Sequence, residues 1–138
     1  MATILERSVQ STIEDWFQHV QVEEKLMAVP LSYEQRCGHL PQIFRDLMYR
    51  LRSSKSLGTK EVISIAAAQH GVTRRKQGYT AAMLVEESRM LQVSIFQTLQ
   101  NNLTSIDFSV LLIGVMTIAD EVDSQLGQAM ESYLVHSL

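Results

Sequence analysis

This chain has little of what ties a small protein to covalent, metal or membrane chemistry. It holds one cysteine, Cys37, in 138 residues. No intrachain disulfide can form, and a reducing cytoplasm is the expected location. Basic charge is not in excess: the formal net charge is -3. Neutralising a phosphate backbone needs a basic face, so nucleic acid is not an expected partner. Long apolar runs are missing too. The longest spans Phe108 to Ala119, too short for a bilayer, and Asp120, Glu121 and Asp123 follow at once. No apolar core precedes Glu6, Arg7, Glu14 and Asp15, so no secretory signal is expected.

Catalytic and metal motifs are equally scarce. There is no glycine-rich phosphate loop, nucleophile elbow or Cys-x-x-Cys. His19, His39, His70 and His136 show no i, i+4 pairing, so no metal site is expected. Cys37 and His39 are two apart and on one helix would point in different directions. No cofactor and no enzymatic activity are expected.

What the chain does have is helical periodicity. Hydrophobic content is 46% and charged content 20%, ordinary for a globular fold. The length fits one domain, residues 1–138, with no repeat or low-complexity tract. No strand pattern competes, and five helical segments are legible. The first runs from about Ile4 to Val20, with Leu5, Val9, Ile13, Trp16 and Phe17 on one face. The second starts at a capping box, Ser32-Tyr33-Glu34-Gln35, and carries Leu40, Ile43, Phe44, Leu47 and Leu51. Pro41 lies inside that pattern and should kink or restart it.

Ser53 to Gly58 reads as the main loop. Thr59 is a candidate cap for the third helix, which carries Val62, Ile63, Ala66, Ala67 and His70 and stops at Gly78. Thr80 caps a fourth helix through Leu84, Leu91, Ile95, Leu99 and Leu103, and Asp107 caps a fifth that runs to about Leu138. In that last helix Leu111, Val115, Ile118, Val122, Leu126, Ala129 and Tyr133 make a near-heptad seam. The expected fold is an all-α, five-helix compact bundle, with simple bundle and globin-like packing both open, and a long C-terminal helix.

The stretch Gln69 to Tyr79 departs from plain scaffold. His70 sits beside a mid-helix glycine, Gly71, and Arg74-Arg75-Lys76 and Gly78 follow. A glycine inside a helix is costly unless a neighbour must come close. His70 shares a face with Ile63, Ala66, Thr73 and Gln77, and two readings stand for it: a ligand contact, or a half-buried histidine bonded to a carbonyl or carboxylate. The second is the commoner use of a lone histidine. Glu87 falls on the apolar stripe between Leu84 and Leu91. Buried there, it needs a partner such as Arg74, Arg75 or His70; at the stripe's edge it reaches water instead. The basic run itself reads best as a solvated helix end. An all-helical domain with a helix histidine invites a haem reading as well, although the surroundings of His70 are polar on one side.

The segment His39 to Leu103 resembles the RsbRD N-terminal domain family, helical input domains of stressosome co-antagonists and some bacterial histidine kinases. The resemblance rests on His39-Leu40-Pro41, His70-Gly71, Arg74 or Arg75, Gln77-Gly78, and Leu84, Glu87 and Leu91. Gln92 departs from it, standing where family members often carry arginine. The resemblance implies a non-catalytic cytoplasmic sensory module, a homodimer upstream of a kinase or STAS-type output domain. Its implied site residues are His70, Gly71, Arg74, Gln77, Gly78 and Glu87. The seam Leu111, Val115, Ile118, Val122, Leu126 and Tyr133 is the expected dimer or output surface. A histidine phosphotransfer module is the alternative, although Thr73 and Arg74 stand where such modules resemble His-x-x-Lys-Gly.

Overall fold

Apolar residues at three- and four-residue steps bury only as helices, and the folded chain follows that rule. A computed structural model describes residues 1–53, 56–58 and 63–135. These form eight α-helices and one 3₁₀ turn, with no strand among the described residues. Five helices are long: α2 (Val9–Gln21), α5 (Leu40–Arg52), α6 (Ile65–Lys76), α7 (Ala81–Asn101) and α8 (Phe108–Val135). Three are short: α1 (Ala2–Arg7), α3 (Glu24–Met27) and α4 (Tyr33–Cys37). The architecture is an all-α compact bundle closed by a long last helix.

The first expected helix is two helices. Ser8 leaves helical geometry, and its carbonyl accepts the hydroxyls of Ser11 at 3.1 Å and Thr12 at 2.8 Å. The break lets α1 pack on α5 while α2 packs on α7. Thr12 then meets Thr98 of α7, oxygen to oxygen, at 2.6 Å. Pro41 restarts the second helix: α4 ends at Cys37, and Pro41 sits in the first turn of α5, where its missing N–H costs nothing. The capping box at Ser32 is formed on both sides, at 2.8 and 3.1 Å.

The cap expected at Thr59, with Ser54, Lys55 and Val62, lies outside the described residues. Ser64 caps α6, its hydroxyl accepting from Ala67 N at 3.1 Å. Ile63 therefore precedes the helix and is 82% exposed, which corrects its placement on the face of His70. Gly78 does end α6, at φ +98°, with the Tyr79 N–H donating to the Arg74 carbonyl at 3.0 Å. Thr80 caps α7 as expected, its hydroxyl accepting from Met83 N at 3.2 Å. Leu103 falls beyond α7, in the 3₁₀ turn Leu103–Ser105. Asp107 accepts from the Ser109 backbone at 2.9 Å at the start of α8. Leu138 is outside the described residues.

The core gathers Leu5, Trp16, Val20, Phe44, Leu47, Leu91, Ile95, Ile118 and Val122. Each such side chain contributes roughly 1.5–3 kcal/mol relative to exposure. α8 packs on α5, α6 and α7, most closely on α6. The reason is Gly71: a Cβ there would fall on the Ala129 carbonyl oxygen, so only glycine allows the crossing.

That packing corrects the assignment of the α8 seam to a dimer surface. Ile118, Val122 and Ala129 are buried in the chain's own core, and Leu111 and Val115 pack against it. Leu126 is half-buried, and the Tyr133 hydroxyl donates to the Tyr79 carbonyl at 2.8 Å. The outward apolar face of α8 is a different set, Phe108, Leu112, Ile113 and Met116.

Candidate functional site

One helical turn separates His70 from Arg74 on α6, so both side chains leave the same face. They meet Glu87 of α7, whose Oε1 accepts from His70 Nε2 at 2.8 Å and Arg74 Nε at 3.0 Å. Glu87 is 3% exposed and Arg74 1%. The apolar stripe of α7 therefore carries a buried, paired carboxylate, and the edge-of-stripe alternative falls.

Arg74 is not the solvated helix end that its basic run suggested. Its two terminal nitrogens reach the carbonyls of Gln35 and Arg36 at 3.0 and 2.8 Å, and the Gln77 side chain at 2.8 Å. Those carbonyls end α4, where partial negative charge collects. The guanidinium also lies over the Tyr79 ring, 4.8 Å from its centre. Tyr79 is buried beside Glu87, and both effects push its phenol up to about 12. It accepts from Arg36 at 3.3 Å.

His39 enters from the turn between α4 and α5. Its ring stacks on His70, centre to centre at 3.9 Å and tilted by 16°. The Trp16 ring stands edge-on to it at 6.0 Å, and Trp16 Nε1 donates to the Glu87 carbonyl at 3.0 Å. Burial, with His70 and Arg74 adding to it, holds the His39 imidazole well below its ordinary pKa. Burial alone would raise the Glu87 carboxyl. The hydrogen bond from His70 and the charge of Arg74 outweigh it, and the group sits below its ordinary value.

Glu87 Oε2 and His39 Nδ1 are buried with no hydrogen bond of ordinary geometry among the described residues, although the Tyr79 hydroxyl lies near the carboxylate and the Arg36 carbonyl near the ring. Buried polar atoms in native proteins are nearly always satisfied, so such orphans call for an explanation. Both residues line a cavity of about 490 Å³ between α5 and α6, floored by α7 and α8. Leu40, Ile43, Ala67, Leu84, Leu91, Val122 and Leu126 give it apolar walls. Its size and mixed lining, with Gln42, Ser88 and Gln125 besides the Glu87 cluster, suit a small-ligand pocket.

The structure thus brings together His70, Arg74, Gln77 and Glu87. Gly71 serves the α6–α8 crossing and Gly78 ends α6; neither carries a group into the pocket. Sequence reasoning missed His39 as a site residue. The i, i+4 rule detects ligands on one helix only, whereas here each donor comes from a separate element. A ring nitrogen of His39, one of His70 and an oxygen of Glu87 lie within 4.8 Å of one another. Spacing showed no i, i+4 histidine pair and gave no expected metal site, yet His39 and His70 meet across the fold; His136 is outside the described residues.

A second buried cluster had no sequence signal. Arg50 of α5 donates to Glu121 at 3.1 Å and Asp120 at 2.6 Å, both on α8, and to the Ser56 carbonyl at 3.2 Å. Gln125 donates to Glu121 at 2.8 Å and to Asp46 at 3.1 Å. Compared with known protein families, curated proteins and solved structures, the chain matches none.

Proposed function

We propose that this domain is a non-catalytic sensory or protein-interaction input module of a bacterial signalling protein, of the stressosome-regulator or histidine-kinase kind. The reading has the domain working in the cytoplasm, as a homodimer, upstream of an output domain. The observation that carries it is the cavity: the Glu87 cluster with its orphaned polar atoms, and a wall formed by α8. A ligand at that cluster bears directly on the helix that would pass the signal on. The resemblance to the RsbRD N-terminal family at His39, His70, Gly71 and Glu87 supports the same reading. No helix among the described residues is long and apolar enough to cross a membrane.

The dimer surface in this reading is the outward face of α8. Phe108 and Leu112 are each 71% exposed, with Ile113 and Met116 beside them. No charged residue interrupts Phe108 to Ala119, so the strip complements a second copy of itself better than a charged partner. The phosphotransfer alternative needs a reachable imidazole. His70 has a 13% exposed side chain, and its Nε2 is bonded to Glu87, so that reading gains no support.

Light scattering tests the dimer. The purified chain is expected at twice its 15.6 kDa mass, and Leu112→Glu with Ile113→Lys is expected to halve it. A monomer in the unmodified chain would contradict the association.

A further inference from the structure

We infer that His39, His70 and Glu87 form a binding site for a divalent transition-metal ion of the Zn²⁺ or Co²⁺ type, with its remaining coordination positions open to the central cavity. The inference deepens the sensory reading by naming the chemical class of the signal. It rests on that reading only for what happens in α8.

Three donors of the right kind come from three elements and lie within 4.8 Å. Two imidazoles and a carboxylate are a common set for such ions, with metal–ligand distances of about 2.0–2.2 Å. Nitrogen-rich sets of this kind favour zinc, cobalt, nickel and copper over magnesium and calcium. Glu87 is 3% exposed, and its Oε2 is buried with no hydrogen bond of ordinary geometry among the described residues. The other oxygen is held by Arg74, which is itself fixed by Gln35, Arg36 and Gln77. A ligating carboxylate oriented through its second oxygen is the usual outer-shell arrangement. His39 Nδ1 is likewise buried with no hydrogen bond of ordinary geometry among the described residues, the Arg36 carbonyl lying near the ring.

The stack of the two rings says what binding would change. At a tilt of 16° their lone pairs lie in nearly parallel planes. An ion draws them into convergence, which tilts His39 out of the stack and moves the Gly38–His39 turn relative to α6. The hydrogen bond between His70 and Glu87 gives way to shared ligation, with the bridging proton released. Arg74 balances the Glu87 charge, so the bound ion would take an anionic group from the cavity side as a further ligand.

Co²⁺ titration of the tag-free, full-length chain tests this. Trp16 is the one tryptophan, 6.0 Å from His39, and reports through quenching by the paramagnetic ion. The expected result is one ion per chain, visible d–d bands, and quenching in step with them. His39→Ala, checked for folding by circular dichroism, should weaken binding by more than the roughly 10–100-fold typical of losing an outer-shell partner. His70→Ala should do the same, and His19→Ala, on the exposed pair with Asp15, should change nothing. Absent bands at stoichiometric ion, or binding unchanged in both His39→Ala and His70→Ala, would overturn the site. Failure of the ion to bind while the chain is dimeric through α8 removes the metal and leaves the input module. Binding with no change in α8 does the reverse.

Discussion

Arg50 and Arg74 are both buried, at 2% and 1% exposure, and each reaches acidic groups from another helix. Their surroundings differ. Arg50 meets two carboxylates, Asp120 and Glu121, and both oxygens of Glu121 have partners. Arg74 meets one carboxylate, shares it with His70, and leaves Glu87 Oε2 and His39 Nδ1 without a hydrogen bond of ordinary geometry beside a cavity. The first cluster fastens α5 to α8 and leaves over one N–H, Arg50 Nε, without a partner among the described residues. The second holds its parts in place and leaves lone-pair donors over, which is the arrangement of a site. Acidity follows the same division. Against its burial, the hydrogen bond from His70 and the charge of Arg74 hold Glu87 below its ordinary value. Burial and the charge of Asp46 raise Glu121, against Gln125 and a single arginine that it shares.

Breaking the two clusters separates them most strongly. Arg74→Met leaves Glu87 charged and nearly alone, and urea unfolding should show a loss of about 3–5 kcal/mol, the usual cost of half a buried pair. Arg50→Met should cost less, because Glu121 keeps its bond from the Gln125 amide and Asp120 reaches solvent. Equal losses would erase the distinction. Next in size is Gly71→Ala, which forces α6 from the Ala129 carbonyl and should cost about 1–3 kcal/mol. Gly127→Ala on α8, with nothing within 4 Å of its Cβ, should instead stabilise by up to about 1 kcal/mol.

The pH response is smaller and has opposite signs in the two clusters. His39 titrates below 6.5 when folded, so the unfolded chain binds its proton first. Its contribution is whole above pH 6.5 and is lost as pH falls from there toward the folded value. Glu87 acts in the same sense lower down: present above 4.5, lost as pH falls through its folded value. Glu121, raised above 4.5, works the other way, favouring the folded chain as pH falls through its folded value. Urea midpoints at about pH 7.5 and about pH 5.5 should therefore fall on acidification, less so in His39→Ala and more so in Glu121→Gln.

What could be read from the sequence was local. Caps at Ser32, Thr80 and Asp107 depend on three or four neighbouring residues, and they form as read. Gly71 announced a close approach because glycine in a helix has few other uses. Glu87 announced a partner because an apolar stripe cannot hold a bare charge. The same logic failed wherever the answer lay across the fold. Arg50 and Glu121 are 71 residues apart, and neither breaks its own helix pattern visibly. A seam on α8 shows that one face is apolar, not which surface covers it; here the chain covers its own. His39 escaped because Gly38 and His39 form a turn, so helical spacing says nothing about its direction.

Hydrogen exchange with and without Co²⁺ tests most directly the claim that the open cluster is a site read by α8. Slower exchange is expected in α6 and in α8 from Val122 to Ala129, where the helix walls the cavity, and His39→Ala should abolish the change. Identical exchange in α8 with ion bound would contradict the account.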